Sequence, residues 1–186
     1  MITRAVLFGL LAVTTVTDVR WRKVFNWTTY PGVVLGLALN IFASLLGTKL
    51  LQGTDSNYPV ADAWQDSLYG FLACFGLMIV CYMFFTGFGG GDVKLMAMIG
   101  AFFGLQLGLE ALLWTFVIAA CMALIILIWQ AGPVELARRF GAYAAFAIRH
   151  GRGTPVTEAD RIPLQTTLWI SPSALIGAMI VHFQWF

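Results

Sequence analysis

Charge is what this sequence lacks most: Asp, Glu, Lys and Arg make up 11% of its 186 residues, against about 25% in an ordinary soluble domain. Hydrophobic residues make up 60%, where about 45–50% is usual. So few charges cannot cover the surface of a soluble globular enzyme, and so apolar a chain is not a disordered segment. The formal net charge of +2 gives no reason to expect a nucleic-acid partner. The composition predicts a polytopic membrane protein.

Cysteine and histidine are also scarce, and their spacing excludes the common metal sites. The three cysteines, Cys74, Cys81 and Cys121, lie in apolar runs, and none belongs to a C-x-x-C pair. The two histidines, His150 and His182, have no partner at helical spacing. We therefore expect neither a metal site nor a cofactor.

Long apolar runs, by contrast, are abundant. A spanning helix needs about 20 mostly apolar residues, and we predict six spans, at about 3–18, 28–47, 64–86, 93–109, 111–130 and 163–183. The boundary between the fourth and fifth spans, near Gly108 and Glu110, is the least defined, and a single re-entrant region is the alternative. Apolar residues at helical spacing in 133–149 predict an amphipathic helix in the membrane interface. The predicted fold is all-α, one membrane domain over residues 1–186 with a cytoplasmic loop at about 131–162.

The distribution of basic residues predicts the orientation in the membrane. In the six-span arrangement only Arg4 and Lys49 lie on one side, together with Asp55, Asp62 and Glu110. Asp66 also flanks the outer loop on this side. The other nine basic residues share the opposite side. This side is therefore predicted to be cytoplasmic, with both termini outside; its basic residues are Arg20, Arg22, Lys23, Lys94, Arg138, Arg139, Arg149, Arg152 and Arg161.

Two aspartates stand at this cytoplasmic boundary. Asp18 ends the first apolar run, and Asp92 follows Gly89-Gly90-Gly91 where the fourth span begins. Two spans separate them, so the chain returns to the same face. An acid at the edge of a span is costly to insert and is a functional candidate. Each has a structural alternative: Asp92 as a helix cap, and Asp18 as the partner of Arg20 or Arg22 in an ion pair.

A pair of close carboxylates suits the hydrolysis of an amide. Two neighbouring acids share a proton, because both cannot ionise cheaply. One then acts as a base toward water and the other as an acid toward the carbonyl oxygen. The glycines before Asp92 adopt backbone angles that other residues avoid, and they leave room for an extended substrate backbone.

These residues carry a resemblance to a known family. The segment from Phe88 to Met96, F-G-G-G-D-V-K-L-M, resembles the G-x-G-D block of the type IV prepilin peptidases. Asp18, followed by basic residues, Asn26 and Gly32, is similar to that family's first catalytic region. The resemblance implies that Asp18 and Asp92 are catalytic and that a smaller set supports them or binds substrate. This set is Gly89, Gly90, Gly91, Asn26 and Lys94.

The resemblance also implies a function and a location. Family members cut short basic leaders from prepilins or pseudopilins at the cytoplasmic face of the inner membrane. Larger members carry an amino-terminal region with C-x-x-C pairs and a methyltransferase activity, which we do not expect here. The short form is similar to enzymes of Flp (tight-adherence) pili, with archaeal preflagellin peptidases as the other option.

Two other functions remain open at the level of sequence. One is a non-enzymatic assembly protein or ion-coupled transporter whose acids bind protons or cations. A transporter usually places such acids near the bilayer midplane, whereas these two are predicted at its edge. The other is a family member that binds prepilins without cutting them. Oligomeric state is not predicted.

Overall fold

The computed structural model describes residues 2–21, 25–49, 51–53, 59–84, 89–132, 138 and 170–183, and these form helices and turns without a β-strand. The helices are α1 (Ile2–Trp21), α2 (Asn26–Leu46), a 3-10 turn (Val60–Asp62), α3 (Ala63–Phe84), α4 (Gly90–Ala131) and α5 (Ile170–Phe183). The predicted all-α class is confirmed.

Four of the helices are long and apolar enough to cross a membrane: α1, α2, α3 with the turn before it, and α4. α5 is apolar but shorter, with 14 residues. The start of the predicted sixth span and, apart from Arg138, the predicted interfacial helix at 133–149 lie outside the described residues. The chain is thus a helical membrane protein.

The chain divides into two compact units, Met1–Ile118 with Trp169–Phe186, and Ala119–Leu168. The first unit holds the packed core, in which Leu7, Leu11, Phe102 and Phe103 are almost fully buried. Of the second unit, the structure describes the end of α4, Gly132, whose φ is 78°, and Arg138. The predicted single domain stays a prediction.

The helix α4 reverses direction at Gly104, whose φ of 82° and ψ of −169° are not helical. A Cβ placed on Gly108 would lie 3.0 Å from the Cα of Gly100, although eight residues of straight helix span about 12 Å. The segments 90–103 and 105–118 are therefore two arms that pack against each other. We predicted the boundary between residues 109 and 111. It lies earlier because Gly104 is where the backbone adopts the positive φ that favours glycine.

Small residues on α3 make room for this reversal. A Cβ on Gly70 would overlap the carbonyl group of Gly104, and a Cβ on Gly100 would overlap the carbonyl group of Gly70. The backbones of α3 and α4 are in direct contact, as small residues allow in membrane helices.

The helix α2 lies parallel to the first arm of α4 in a fixed register. A Cβ on Gly32 would overlap the Met98 side chain, and a Cβ on Gly36 would lie 2.7 Å from the Phe102 ring. The positions in contact advance together along both helices. This register determines which residues of α2 lie beside the start of α4.

A buried polar network surrounds the reversal. Asn40 on α2 donates to the carbonyl oxygens of Ala101 (3.1 Å) and Phe102 (3.4 Å), and its Oδ1 accepts from the Gly53 N–H at 2.9 Å. The Ser67 hydroxyl also donates to the Ala101 carbonyl oxygen. These bonds satisfy backbone groups that the break in α4 would otherwise leave without a partner in an apolar medium.

Asp66 belongs to the same network. Its Oδ1 accepts from the Leu105 N–H at 3.1 Å, at the start of the second arm, and the residue is 5% exposed. From the sequence we expect Asp66 only to flank the outer loop. In the structure it is buried in the first turn of α3 and caps the second arm of α4.

We expect Gly70→Ala to destabilise the protein, because the added methyl group meets the Gly104 backbone and cannot rotate away. Overpacking of this kind costs about 1–3 kcal/mol, which lowers the midpoint of thermal unfolding in detergent. Gly76→Ala is the matched control on α3, since no described atom lies within 4 Å of its Cβ position. Equal midpoints for the two variants would contradict the close packing.

We expect Asp66→Ala to lower the same midpoint, because the Leu105 N–H loses a buried acceptor. The loss is about 1–3 kcal/mol of unfolding free energy. Asp62→Ala is the control, because Asp62 is exposed in the turn before α3. A loss of stability as large in Asp62→Ala would show that Asp66 has no special role at the reversal.

Candidate active site

Asp18 continues the buried face of α1. The buried residues of this helix recur every three or four positions and therefore form one stripe: Thr3, Leu7, Leu11, Thr14 and Asp18. Asp18 is 9% exposed. Its side chain is thus part of the helix face that packs inside the bundle.

The residues around Asp18 do not supply a counter-ion. The Arg20 guanidinium lies 5.7 Å from the centroid of the Trp21 ring, a cation–π contact. No ion pair joins Asp18 to a described residue, and Arg22 lies outside the described part of the chain. The ion-pair alternative for Asp18 is therefore not found with Arg20.

Asp92 lies in the first turn of α4 and folds back onto its start. The Gly89 N–H donates to Asp92 Oδ2 at 2.9 Å, and the Asp92 N–H donates to the Gly89 carbonyl oxygen at 3.0 Å. The bond from the Gly89 N–H to the Asp92 side chain is one half of a capping box, and the Gly89 carbonyl oxygen takes the place of the N-cap side chain in the other bond. The helix-cap alternative is therefore real, but it uses Oδ2; no hydrogen bond to Oδ1 is found among the described residues.

The packing brings the two aspartates to the same end of the bundle. Leu10, eight residues before Asp18, and Met98, six residues after Asp92, both reach Gly32 of α2. At 1.5 Å per residue the acids lie about 12 Å and about 9 Å from this level, in the same direction. The two carboxylates are close enough to repel each other electrostatically.

Lys94 and Asn26 also meet. The Lys94 ammonium donates to Asn26 Oδ1 at 2.8 Å and lies 4.6 Å from the centroid of the Tyr30 ring. Asn26 and Tyr30 are four residues apart and thus share one face of α2. Sequence reasoning singled out Asn26 and Lys94 without pairing them, and it missed Tyr30. The sequence signal for this contact was the four-residue spacing of Asn26 and Tyr30, which places both on one face of a helix.

The glycine run leaves open space beside Asp92. Gly89 and Gly90 are exposed, and no described atom lies within 4 Å of a Cβ placed on Gly90. A Cβ on Gly89 would lie 3.3 Å from Asp92 Oδ2. The run therefore has room for another chain next to the acid.

A hydroxyl group that sequence reasoning missed is buried nearby. The Thr15 hydroxyl, one turn before Asp18, donates to the Ser171 carbonyl oxygen at 3.3 Å and so joins α1 to the first turn of α5. The hydroxyl of Ser171 itself has no hydrogen-bond partner among the described residues. The run Ser171-Pro172-Ser173 before an apolar segment was its sequence signal.

This end of the bundle is lined with exposed aromatic residues. Trp21, Phe25, Trp27 and Tyr30 are all exposed, and Trp27 is 91% exposed. Aromatic side chains of this kind are typical of the membrane–water boundary. Two close carboxylates and open backbone at such a boundary are suited to the hydrolysis of a peptide bond. No group of three potential metal-binding side chains occurs among the described residues.

The model of one protein family matches this chain. The type IV leader peptidase family matches residues 5–127, well over half of the chain, and the match includes both aspartates. No curated protein and no solved structure matches the chain.

Gly90→Ala tests whether the open space serves a bound peptide. The fold has room for the added methyl group, so the unfolding midpoint should stay unchanged while KM for a peptide substrate rises several-fold. Steady-state cleavage kinetics measure this effect. Gly9→Ala is the control, since its Cβ would also lie in open space, on α1. An unchanged KM in Gly90→Ala would argue against contact between substrate and the glycine run.

Proposed function

Because the chain belongs to the type IV leader peptidase family, and is thus a membrane peptidase, we propose that Asp18 and Asp92 are its catalytic pair. The supporting observation is that helices distant in sequence bring two carboxylates to the same end of the described bundle, since Leu10 of α1 and Met98 of α4 meet at Gly32. Asp18 forms no ion pair with a described residue, and only one oxygen of Asp92 is used in the helix cap. The pair therefore keeps oxygen atoms for a substrate and a water.

The proposed reaction adds one water across a peptide bond. The two carboxylates share one proton. The ionised group takes a proton from water, whose oxygen attacks the peptide carbonyl carbon, while the protonated group gives its proton to the carbonyl oxygen. When the tetrahedral intermediate collapses, the peptide nitrogen leaves with a proton and the other product is a carboxylic acid. The acids then return to their shared-proton state.

We place this chemistry at the cytoplasmic face of the inner membrane, with both termini outside. The exposed Trp21, Phe25 and Trp27 support a position at the boundary. The excess of basic residues on the same side of the sequence supports the cytoplasmic orientation. A leader that remains in the cytoplasm would then meet the acids just before its apolar segment enters the bilayer.

Prepilin-type proteins are the substrates that the family implies. Within this class we propose Flp-type prepilins or pseudopilins, which are the substrates that the resemblance to the Flp enzymes implies. An acidic pair does not choose among leaders by itself. Selection would fall to the open backbone at Gly89, Gly90 and Gly91 and to the residues of α2 beside it.

A proton- or cation-coupled role for the acids is the second candidate. Asp18 is buried and has no ion pair in the part of the chain that the structure describes, as is usual for functional acids within a membrane. Against it, the acids lie at the aromatic end of the bundle rather than at its middle. Peptide size separates the two functions, because only a peptidase shortens its substrate.

We expect Asp18→Asn and Asp92→Asn each to lose at least about 100-fold in cleavage rate, because each removes one member of an acid–base pair. The assay mixes protein purified in detergent with a prepilin-like protein from the same genome neighbourhood and follows leader removal by mass spectrometry. Asn retains a side-chain oxygen that can accept the Gly89 hydrogen bond, so the helix cap is kept.

Asp62→Asn is the control for charge alone, because Asp62 is exposed in the turn before α3. It should cleave at the wild-type rate. Wild-type cleavage by either of the two Asn variants of the pair would overturn the catalytic assignment. An unshortened substrate in every sample, with an ion-dependent defect in the Asn variants, would favour the second candidate.

A further inference from the structure

We propose that Asn26 and Tyr30 are positioning residues that hold the Lys94 ammonium away from Asp18 and Asp92, so that the two carboxylates can share one proton. This inference rests on the proposed function. It concerns how the cation two residues after Asp92 is kept from neutralising the pair.

Lys94 is the cation that most threatens a shared proton. It follows Asp92 by two positions, which lie about 200° apart around a helix, so its stem leaves on a different face. The stem is long and flexible, however, and a free ammonium at a membrane boundary would be attracted to two close acids. A cation beside the pair favours the form in which both carboxylates are ionised, and this form has no proton to give to the carbonyl oxygen.

The contacts on α2 remove this freedom. Asn26 Oδ1 accepts from the Lys94 ammonium at 2.8 Å, and the ammonium lies 4.6 Å from the Tyr30 ring centroid, within the range of a cation–π contact. Because Asn26 and Tyr30 are one turn apart, they hold the same atom from two directions. Both are uncharged, so they bind the cation without adding a further acid near the pair.

The register of the helices fixes this clamp. Gly32 and Gly36 pack on Met98 and Phe102, and Lys94 precedes Met98 by one turn, on the side of α4 that faces α2. Asn26 and Tyr30 precede Gly32 by six and two residues, so they lie on either side of the level that Lys94 occupies along α2. The clamp is thus an extension of the α2–α4 contact to the end where Asp92 lies.

The other charged or titratable groups at this end are few in the described helices. On α1, Asp18 is a member of the pair and Arg20 lies over Trp21. Cys81 and Tyr82 lie in the last turn of α3, and the first turn of α5 carries none. Among these groups, Lys94 is the cation whose position Asn26 and Tyr30 control.

The experiment compares pH–rate profiles of leader cleavage for the full chain in detergent. In Asn26→Ala, Lys94 is free to reach the acids, so the alkaline limb of the kcat profile should move by about one pH unit toward acid, and the rate at neutral pH should fall about tenfold. Tyr30→Leu keeps an apolar side chain and should give a smaller shift in the same direction.

The double variant Asn26→Ala/Lys94→Met is the decisive sample. If Asn26 acts through the lysine, removal of the ammonium returns the alkaline limb to its wild-type position and restores most of the rate. If Asn26 only supports the fold, the double variant is no better than Asn26→Ala, and the inference is overturned. Thr28→Ala is the matched control, because Thr28 lies between Asn26 and Tyr30 and its hydroxyl donates to the carbonyl oxygen of Phe25, just before α2, rather than to Lys94.

The outcomes also separate this inference from the proposed function. If cleavage requires both aspartates but the alkaline limb of the pH–rate profile does not move in Asn26→Ala, the inference alone is overturned. Cleavage that survives Asp18→Asn or Asp92→Asn overturns the catalytic assignment and the inference together. Unfolding midpoints of all variants identify any loss of rate that comes from loss of fold.

Discussion

The reversal of α4 at Gly104 is the constraint on which the described bundle depends. In an apolar medium every backbone N–H and C=O needs a partner within the protein, and a reversal exposes several at once. The bundle meets this requirement with the Asn40 amide, the Ser67 hydroxyl and the Asp66 carboxylate. Glycines allow the close approach that brings these side chains within reach. The polar groups buried far from the candidate site are thus required by its geometry.

The reversal also limits the length of the arm that carries Asp92. Residues 90–103 span about 21 Å as a helix, less than the roughly 30 Å of a bilayer core. If Asp92 lies at one boundary, the turn at Gly104 falls short of the other. This explains why Asn40, Asp66 and Ser67 are buried: they meet the turn at membrane depth.

Two parts of this arrangement could be predicted from the sequence: the membrane helices, from composition, and the shared face of the two aspartates, from the number of crossings between them. Scarce charge and long apolar runs indicate membrane helices, and an even number of crossings puts Asp18 and Asp92 on one face. The sequence did not predict the packing contacts. Gly70 meets Gly104, and Lys94 meets Tyr30, because of the register between neighbouring helices. The residue spacing within one helix does not determine that register. The break at Gly104 was misplaced for a related reason, because Gly100, Gly104 and Gly108 are equivalent until a partner helix selects one of them.

The two aspartates differ in what their structural roles can explain. Asn or Ser could take the place of Asp92 in the helix cap, since a cap requires only an acceptor oxygen, so the cap does not account for a charge there. Asp18 has still less structural reason to be an acid: it ends a stripe of Thr and Leu, is buried, and has no ion pair with a described residue. Burial of a carboxylate without such a partner is costly, and a second carboxylate nearby adds to the cost. Neither the burial of this carboxylate nor a second carboxylate nearby stabilises the fold. A pair of acids that must share a proton requires both features.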